Sequence, residues 1–212
     1  MLDFALDTFI TFFVVIDPIG LAPVFVGLTT GATAQFRRQM AVRGTLIGAG
    51  ILIGFAALGG VLLDAMGIGL PALRIAGGIL LFLVAIDMLF ARQSGLRSTT
   101  ESETEEAHFR PDISVFPIGI PLIAGPGAIT TVLLMVSGAD GDWARIGVGM
   151  SIMLVVIGMA LIALLAASAL TRLLGEIGSN VISRVLGVIL SALAVQFVIT
   201  GLASLGLVMG KT

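Results

Sequence analysis

Two dipeptides in this chain, Asp17-Pro18 and Gly125-Pro126, could do chemistry, and that chemistry is binding rather than bond breaking. The first lies in Val15-Ile16-Asp17-Pro18-Ile19-Gly20-Leu21-Ala22-Pro23 and the second in Pro121-Leu122-Ile123-Ala124-Gly125-Pro126-Gly127-Ala128-Ile129-Thr130-Thr131. Both stretches are apolar enough to sit in a membrane. Proline is disfavoured inside a helix but welcome at its first position, where the missing N–H costs nothing. Aspartate is among the best residues to precede it, because its carboxylate accepts from the free N–H groups of the first turn. Asp17-Pro18 therefore reads as a helix start, followed by about 10 helical residues, or roughly 15 Å, half of a bilayer core.

Gly125-Pro126 repeats the pattern without an acidic cap. An uncapped helix start exposes N–H donors and carries about half a positive charge, which suits an anion. Gly125 and Gly127 let a ligand approach the backbone, and Thr130 and Thr131 place hydroxyls one turn later. Asp17 and Gly20 supply the other half of the site. Together they suit a zwitterion, with its carboxylate over Gly125–Thr131 and its ammonium near Asp17. The plainer readings are proline kinks stabilised by neighbouring helices and an aspartate that caps its own helix and touches no substrate. Against them stand the matching positions of the two breaks, which point to a transporter's substrate site. An ionisable group near the bilayer centre also costs about 2.5–3.5 kcal/mol on insertion scales.

These residues must be positioned by helices of about 20 apolar residues each. Six such spans are expected: Phe4–Val26, Ala41–Leu63, Leu70–Phe90, Ile113–Val136, Ile146–Leu170 and Val181–Val208. The polar, acidic segment 91–112 divides them into units 1–90 and 113–212, each of three spans. Pro18 and Pro126 fall in the first span of each unit. In the third spans, Arg74-Ile75-Ala76-Gly77-Gly78-Ile79-Leu80 is similar to Arg184-Val185-Leu186-Gly187-Val188-Ile189-Leu190. Three is odd, so the second unit lies upside down. The fold expected is an all-α membrane protein of two inverted three-helix repeats, the first helix of each broken by proline.

Basic residues set the orientation. Arg74, Arg145 and Lys211 lie on one side; Arg37, Arg38, Arg43, Arg92, Arg97, Arg110, Arg172 and Arg184 lie on the other. Basic short loops stay in the cytoplasm, so both termini are expected outside. If both broken segments were re-entrant hairpins, the chain would cross four times with the same charge split and both termini inside. Segment length favours full spans.

Other polar residues carry weaker signals. Asp87 lies about one turn from the cytoplasmic end of its span, where it reaches the interface or serves coupling. Gln196, with Thr200 a turn later, suits an interhelical hydrogen bond in the polar core. Asp64 and Arg74 flank one external loop, solvated or paired. Gly50–Gly54 and Gly206–Gly210 have spacing that serves internal packing or association between copies. Trp143 suits an interfacial anchor, and His108 lies in the acidic linker.

Composition excludes whole classes of function. Hydrophobic residues are 58% and charged residues 11% of 212, with mean hydropathy +1.16, against about 25% charged in soluble domains. Glycine, at 28 residues, is nearly twice the usual ~7%. With a net charge of -2 and no basic patch, nucleic acid is not an expected partner. There is no cysteine, which removes disulfides, thiol redox chemistry and thiolate metal sites. The first residues carry Asp3 and Asp7 where a signal peptide would be basic.

At the two proline motifs, here extended through Val24-Phe25, the chain resembles the MarC family of bacterial inner-membrane proteins. The resemblance in length, six spans and motif placement covers essentially the whole sequence. It implies transport of small neutral amino acids such as glycine or alanine, and membership of the lysine exporter superfamily. It carries over no catalytic residue.

The first expectation is therefore secondary transport of a small neutral amino acid across the cytoplasmic membrane, coupled to an ion gradient such as Na⁺ or H⁺. The alternative is efflux of drugs or other metabolites. No catalytic residue, metal site or cofactor is expected: His108 is the only histidine, Asp17 the only aspartate clearly at mid-membrane depth, and no P-loop is present. The expected partners are a small-molecule substrate, the bilayer and, as an alternative to internal packing of the glycine motifs, further copies of the chain in a homo-oligomer.

Overall fold

The computed structural model describes residues 1–90, 112–139 and 141–207, and all regular structure among them is helical. The linker 91–112 lies outside the described residues except for Asp112, as do His108, Val208, Gly210 and Lys211.

Helices α1 (Leu2–Ile16) and α2 (Pro18–Leu28) meet at Asp17 and continue as one 27-residue span. Helix α3 (Ala34–Ala65) has 32 residues, about 48 Å at 1.5 Å per residue. That exceeds the bilayer core, and Thr33 caps its start by accepting from the Phe36 amide at 3.2 Å. Helix α4 (Leu70–Phe90) has the bounds expected for the third span. Helix α7 (Trp143–Leu165) starts where Asp142 accepts from the Ala144 and Arg145 amides, and ends five residues before the expected boundary. Helix α8 (Ala167–Ser204) is interrupted at Gly175, whose φ of 66° belongs to glycine. Its membrane-length part is Ile177–Ser204.

The expected span Ile113–Val136 is not one helix with a single break. Its first part, α5 (Ser114–Ile123), is coiled in wide turns, with Ile118 N–H donating to Ile113 O at 3.3 Å and Ala124 N–H to Gly119 O at 2.9 Å. Phe116 and Ile120 are extended, at φ -129° and -132°. Each precedes a proline, whose ring disfavours the helical region for the residue before it. Helix α6 (Pro126–Ser137) then departs at 58°. Among the described residues there are thus five spans long and apolar enough to cross a membrane, and six when the bent α5–α6 pair is one span.

Helix α4 packs most extensively on α8. A Cβ at Gly78 would come within 2.7 Å of the Ala194 carbonyl, and one at Gly187 within 2.9 Å of Met88. Small residues let membrane helices approach this closely. Phe12, Ile16, Phe25, Leu52, Leu81, Ile118, Met153 and Leu190 are fully buried between the layers. Leu58, Val61, Ile162 and Val188 face outward and exposed. An apolar exterior on this scale has lipid as its solvent.

Candidate functional site

Asp17 ends α1 and begins α2. It is wholly buried and left-handed, with φ 45° and ψ 72°, a region where aspartate and asparagine are enriched among non-glycine residues. Its amide donates to Phe13 O at 2.9 Å, and its carbonyl accepts from Leu21 at 3.1 Å. One carboxylate oxygen, Oδ1, accepts from the Gly20 amide at 3.0 Å; the other, Oδ2, accepts from Ser183 Oγ on α8 at 3.1 Å. Gly20 makes this contact possible: a Cβ there would collide with the Asp17 carboxylate and lie 2.9 Å from Ser183 Oγ.

The second break differs. Gly125 is extended, with φ -77° and ψ 168°, and no side chain caps α6. Ile129 donates to Gly125 O at 3.0 Å. Pro126 has no N–H, so the first-turn donors are the Gly127 and Ala128 amides, which have no partner within a helix. Both residues line a cleft with Gly125, Val15, Val84, Pro121, Leu122 and Ile123. The cleft is shallow and partly open, and its enclosed space is about that of one water molecule. Its side chains are apolar, so its polarity comes from backbone at the α6 start. Gly127 keeps that wall thin: a Cβ would press within 3.0 Å of Leu81 and 3.2 Å of Val15.

The structure therefore brings Gly125 and Gly127 to the cleft and joins Asp17 to it only through Val15, two residues earlier. The carboxylate itself is turned toward Gly20 and Ser183, and Gly20 lies beside it. Thr130 and Thr131 are buried but do not line the cleft. The Thr131 hydroxyl donates to Gly127 O at 2.8 Å, and the Thr130 methyl fills the space left by Gly77 of α4. Ser183 carried no signal in the sequence. It is one of several serines on a long helix that also carries Asn180 and Arg184, 166 positions from its partner.

The remaining polar residues and glycines are placed as follows. Asp87 does not reach outward; it is nine-tenths buried, one turn beyond Val84 of the cleft. Gln196 is exposed and donates to Thr200 Oγ1 of its own helix at 3.3 Å, since a partner four residues on lies within reach. Arg74 donates to Ser204 Oγ at 3.2 Å across α4 and α8. Among the described residues nothing packs against Gly50 and Gly54.

At the basic end, Arg43 lies 3.5 Å from Asp112, tying α3 to the start of α5. Hydrogen bonds from the Ser114 hydroxyl and amide, aided by Arg43, hold the Asp112 carboxyl below its ordinary pKa. Arg37 donates to Ser168 Oγ at 3.0 Å, linking α3 to α8.

Comparison with known proteins agrees with this architecture. The family described as MarC family integral membrane protein matches residues 2–205. The UPF0056 membrane protein YvbG of Bacillus subtilis is 35% identical, with 95% of each chain covered. A UPF0056 membrane protein of Archaeoglobus fulgidus is 36% identical over 95% of this chain and 93% of its own. The UPF0056 membrane protein YhcE of Escherichia coli is 33% identical over 92% of this chain and 89% of its own. No solved structure matches. A family match across nearly the whole length, on a chain built of membrane-length helices, makes this protein a member of the MarC family of integral membrane proteins.

Proposed function

We propose that this protein is a secondary transporter of a small neutral amino acid across the cytoplasmic membrane, driven by an ion gradient and built from two inverted three-helix repeats. The carrying observation is the uncapped start of α6, whose Gly127 and Ala128 amides sit on the wall of a small apolar cleft. A substrate carboxylate accepts from those amides and meets the positive end of the helix dipole. The enclosed space of the cleft is about that of one water molecule. A space this small needs less widening for glycine or alanine than for a bulky efflux substrate.

Packing supports the repeat. Helix α3 packs on α5 and α6, and α7 packs on α1 and α2; α4 packs on α6, and α8 on α2. Each pair maps onto its counterpart when the two units are exchanged, and α4 against α8 maps onto itself. In this scheme the first helix of each repeat is interrupted at its proline; Val15, two residues before the first interruption, lines the cleft with Gly125 of the second.

Transport is tested in proteoliposomes. Alanine or glycine loaded inside should accelerate entry of the labelled amino acid well above that of protein-free vesicles. Equal rates with and without the protein, across a panel of amino acids and under Na⁺ and pH gradients, would overturn the proposal.

Orientation is tested with single cysteines, which the chain lacks naturally. Leu2, Met66, Trp143 and Leu173 are all well exposed. With six spans and both termini outside, an impermeant thiol reagent applied to intact cells labels cysteines at Leu2, Met66 and Trp143 and spares Leu173. Labelling confined to Met66 and Leu173 means re-entrant hairpins, and labelling of Leu173 alone means the opposite orientation.

A further inference from the structure

Two buried valines, Val15 of α1 and Val84 of α4, line the cleft together with Gly125, Gly127 and Ala128 of α6. They close on the start of α6 from two helices. A Cβ on Gly127 would lie 3.2 Å from Val15 Cγ1 and 3.0 Å from Leu81 Cδ2, and Leu81 stands one helical turn before Val84 on α4. Valine is branched at Cβ and in a helix is held largely to one rotamer. Neither side chain therefore swings aside as a longer, unbranched one would. Every side chain lining the cleft is apolar, so this wall distinguishes ligands by size and not by hydrogen bonding. The opposite wall, α5, lacks a regular ladder and has extended residues at 116 and 120.

We propose that Val15 and Val84 are the specificity-determining residues of the cleft, a size filter that limits the substrate side chain to a hydrogen or a methyl group. The filter rests on the reading of the α6 start as the carboxylate site. A carboxylate held by the Gly127 and Ala128 amides puts its α-carbon one bond away, so the atoms attached to that carbon are the first to meet the valine wall. The enclosed space is about that of one water molecule. Any ligand must widen it, and α5 is the side that yields. Each further methylene has to displace a valine methyl that has no other rotamer to take. One methylene in an apolar pocket changes selection by about 10–200-fold. Entry is thus set by the soft wall and identity by the stiff one.

The test is ligand-induced thermal shift of the purified full-length protein with glycine, alanine and α-aminobutyrate, a series that grows by one carbon at each step. A ligand that binds only the folded state raises Tm along a saturating curve. In the parent, half-saturation by alanine should come about 10-fold or more below that by α-aminobutyrate. Val15→Ala and Val84→Ala should each erase most of that difference, by improving α-aminobutyrate. Val15→Ile adds one methylene to the wall and should weaken alanine about 10-fold or more, and glycine less. Val14→Ala removes the same atoms from a buried neighbour that does not line the cleft; it should lower Tm without ligand and leave the ratio of the two half-saturations as in the parent. A preserved ratio in either cleft variant that still melts cooperatively overturns the filter, and so does an equal change of ratio in Val14→Ala. No shift of the parent by any of the three ligands refutes the carboxylate reading itself, and the filter falls with it. Alanine binding with a ratio indifferent to Val15 and Val84 refutes the filter alone.

Discussion

Gly125→Asp should abolish binding of alanine and glycine while the protein stays folded. The backbone at Gly125, φ -77° and ψ 168°, already has the extended conformation of an N-cap residue, so aspartate enters without strain. Its carboxylate then accepts from the Gly127 and Ala128 amides and occupies the place assigned to the substrate. Two like charges about 4 Å apart, at an effective dielectric of about 20, repel by about 4 kcal/mol, on the order of a 1,000-fold loss of affinity. The helix gains a cap, so Tm without ligand should hold or rise. Ligand-induced thermal shift reads the loss, and amines lacking a carboxylate should be much less affected. Unchanged binding of alanine would place the substrate carboxylate elsewhere.

Asp17→Asn should leave a folded protein that does not transport. Asparagine tolerates the left-handed backbone of this position, caps nearly as well, and its amide can still meet Gly20 and Ser183. The folding cost should stay below about 1 kcal/mol. What is lost is the charge. Asp17→Ala is the contrasting variant: it loses the cap, worth about 1 kcal/mol, and puts alanine at a positive φ for about 1–2 kcal/mol more. Its Tm should fall clearly where that of Asp17→Asn does not. Counterflow in proteoliposomes measures transport, and near-normal exchange by Asp17→Asn would reduce Asp17 to a cap.

Local chemistry was the most readable part of this chain. The Asp17 carboxylate meets an amide three residues away, and the bounds of α4 follow from a continuous apolar run between polar turns. Segment α5 is legible too, because Pro117 and Pro121 each disfavour a helical conformation in the residue before them. Contacts across the bundle were not. Ser183 reaches Asp17 only because α8 packs on α2, and it stands among Glu176, Ser179, Asn180 and Arg184, so nothing in the sequence singles it out as inward-facing. The same lack of contrast hid the outward turn of Gln196 and the burial of Asp87.

The cleft has walls of unequal stiffness. Helices α4 and α6 are regular, so moving them means moving rods. Segment α5 supplies Pro121, Leu122 and Ile123 to the same cleft but lacks a continuous i→i+4 ladder, with extended residues at 116 and 120. Free energy of local opening follows the density of such bonds and contacts. Deformation therefore concentrates in α5, and the glycines of α3 that face it, Gly44 and Gly48, leave Ile118 and Ile123 seated without side chains of their own in the way. The compliant wall is the one that rests directly on the α3 backbone.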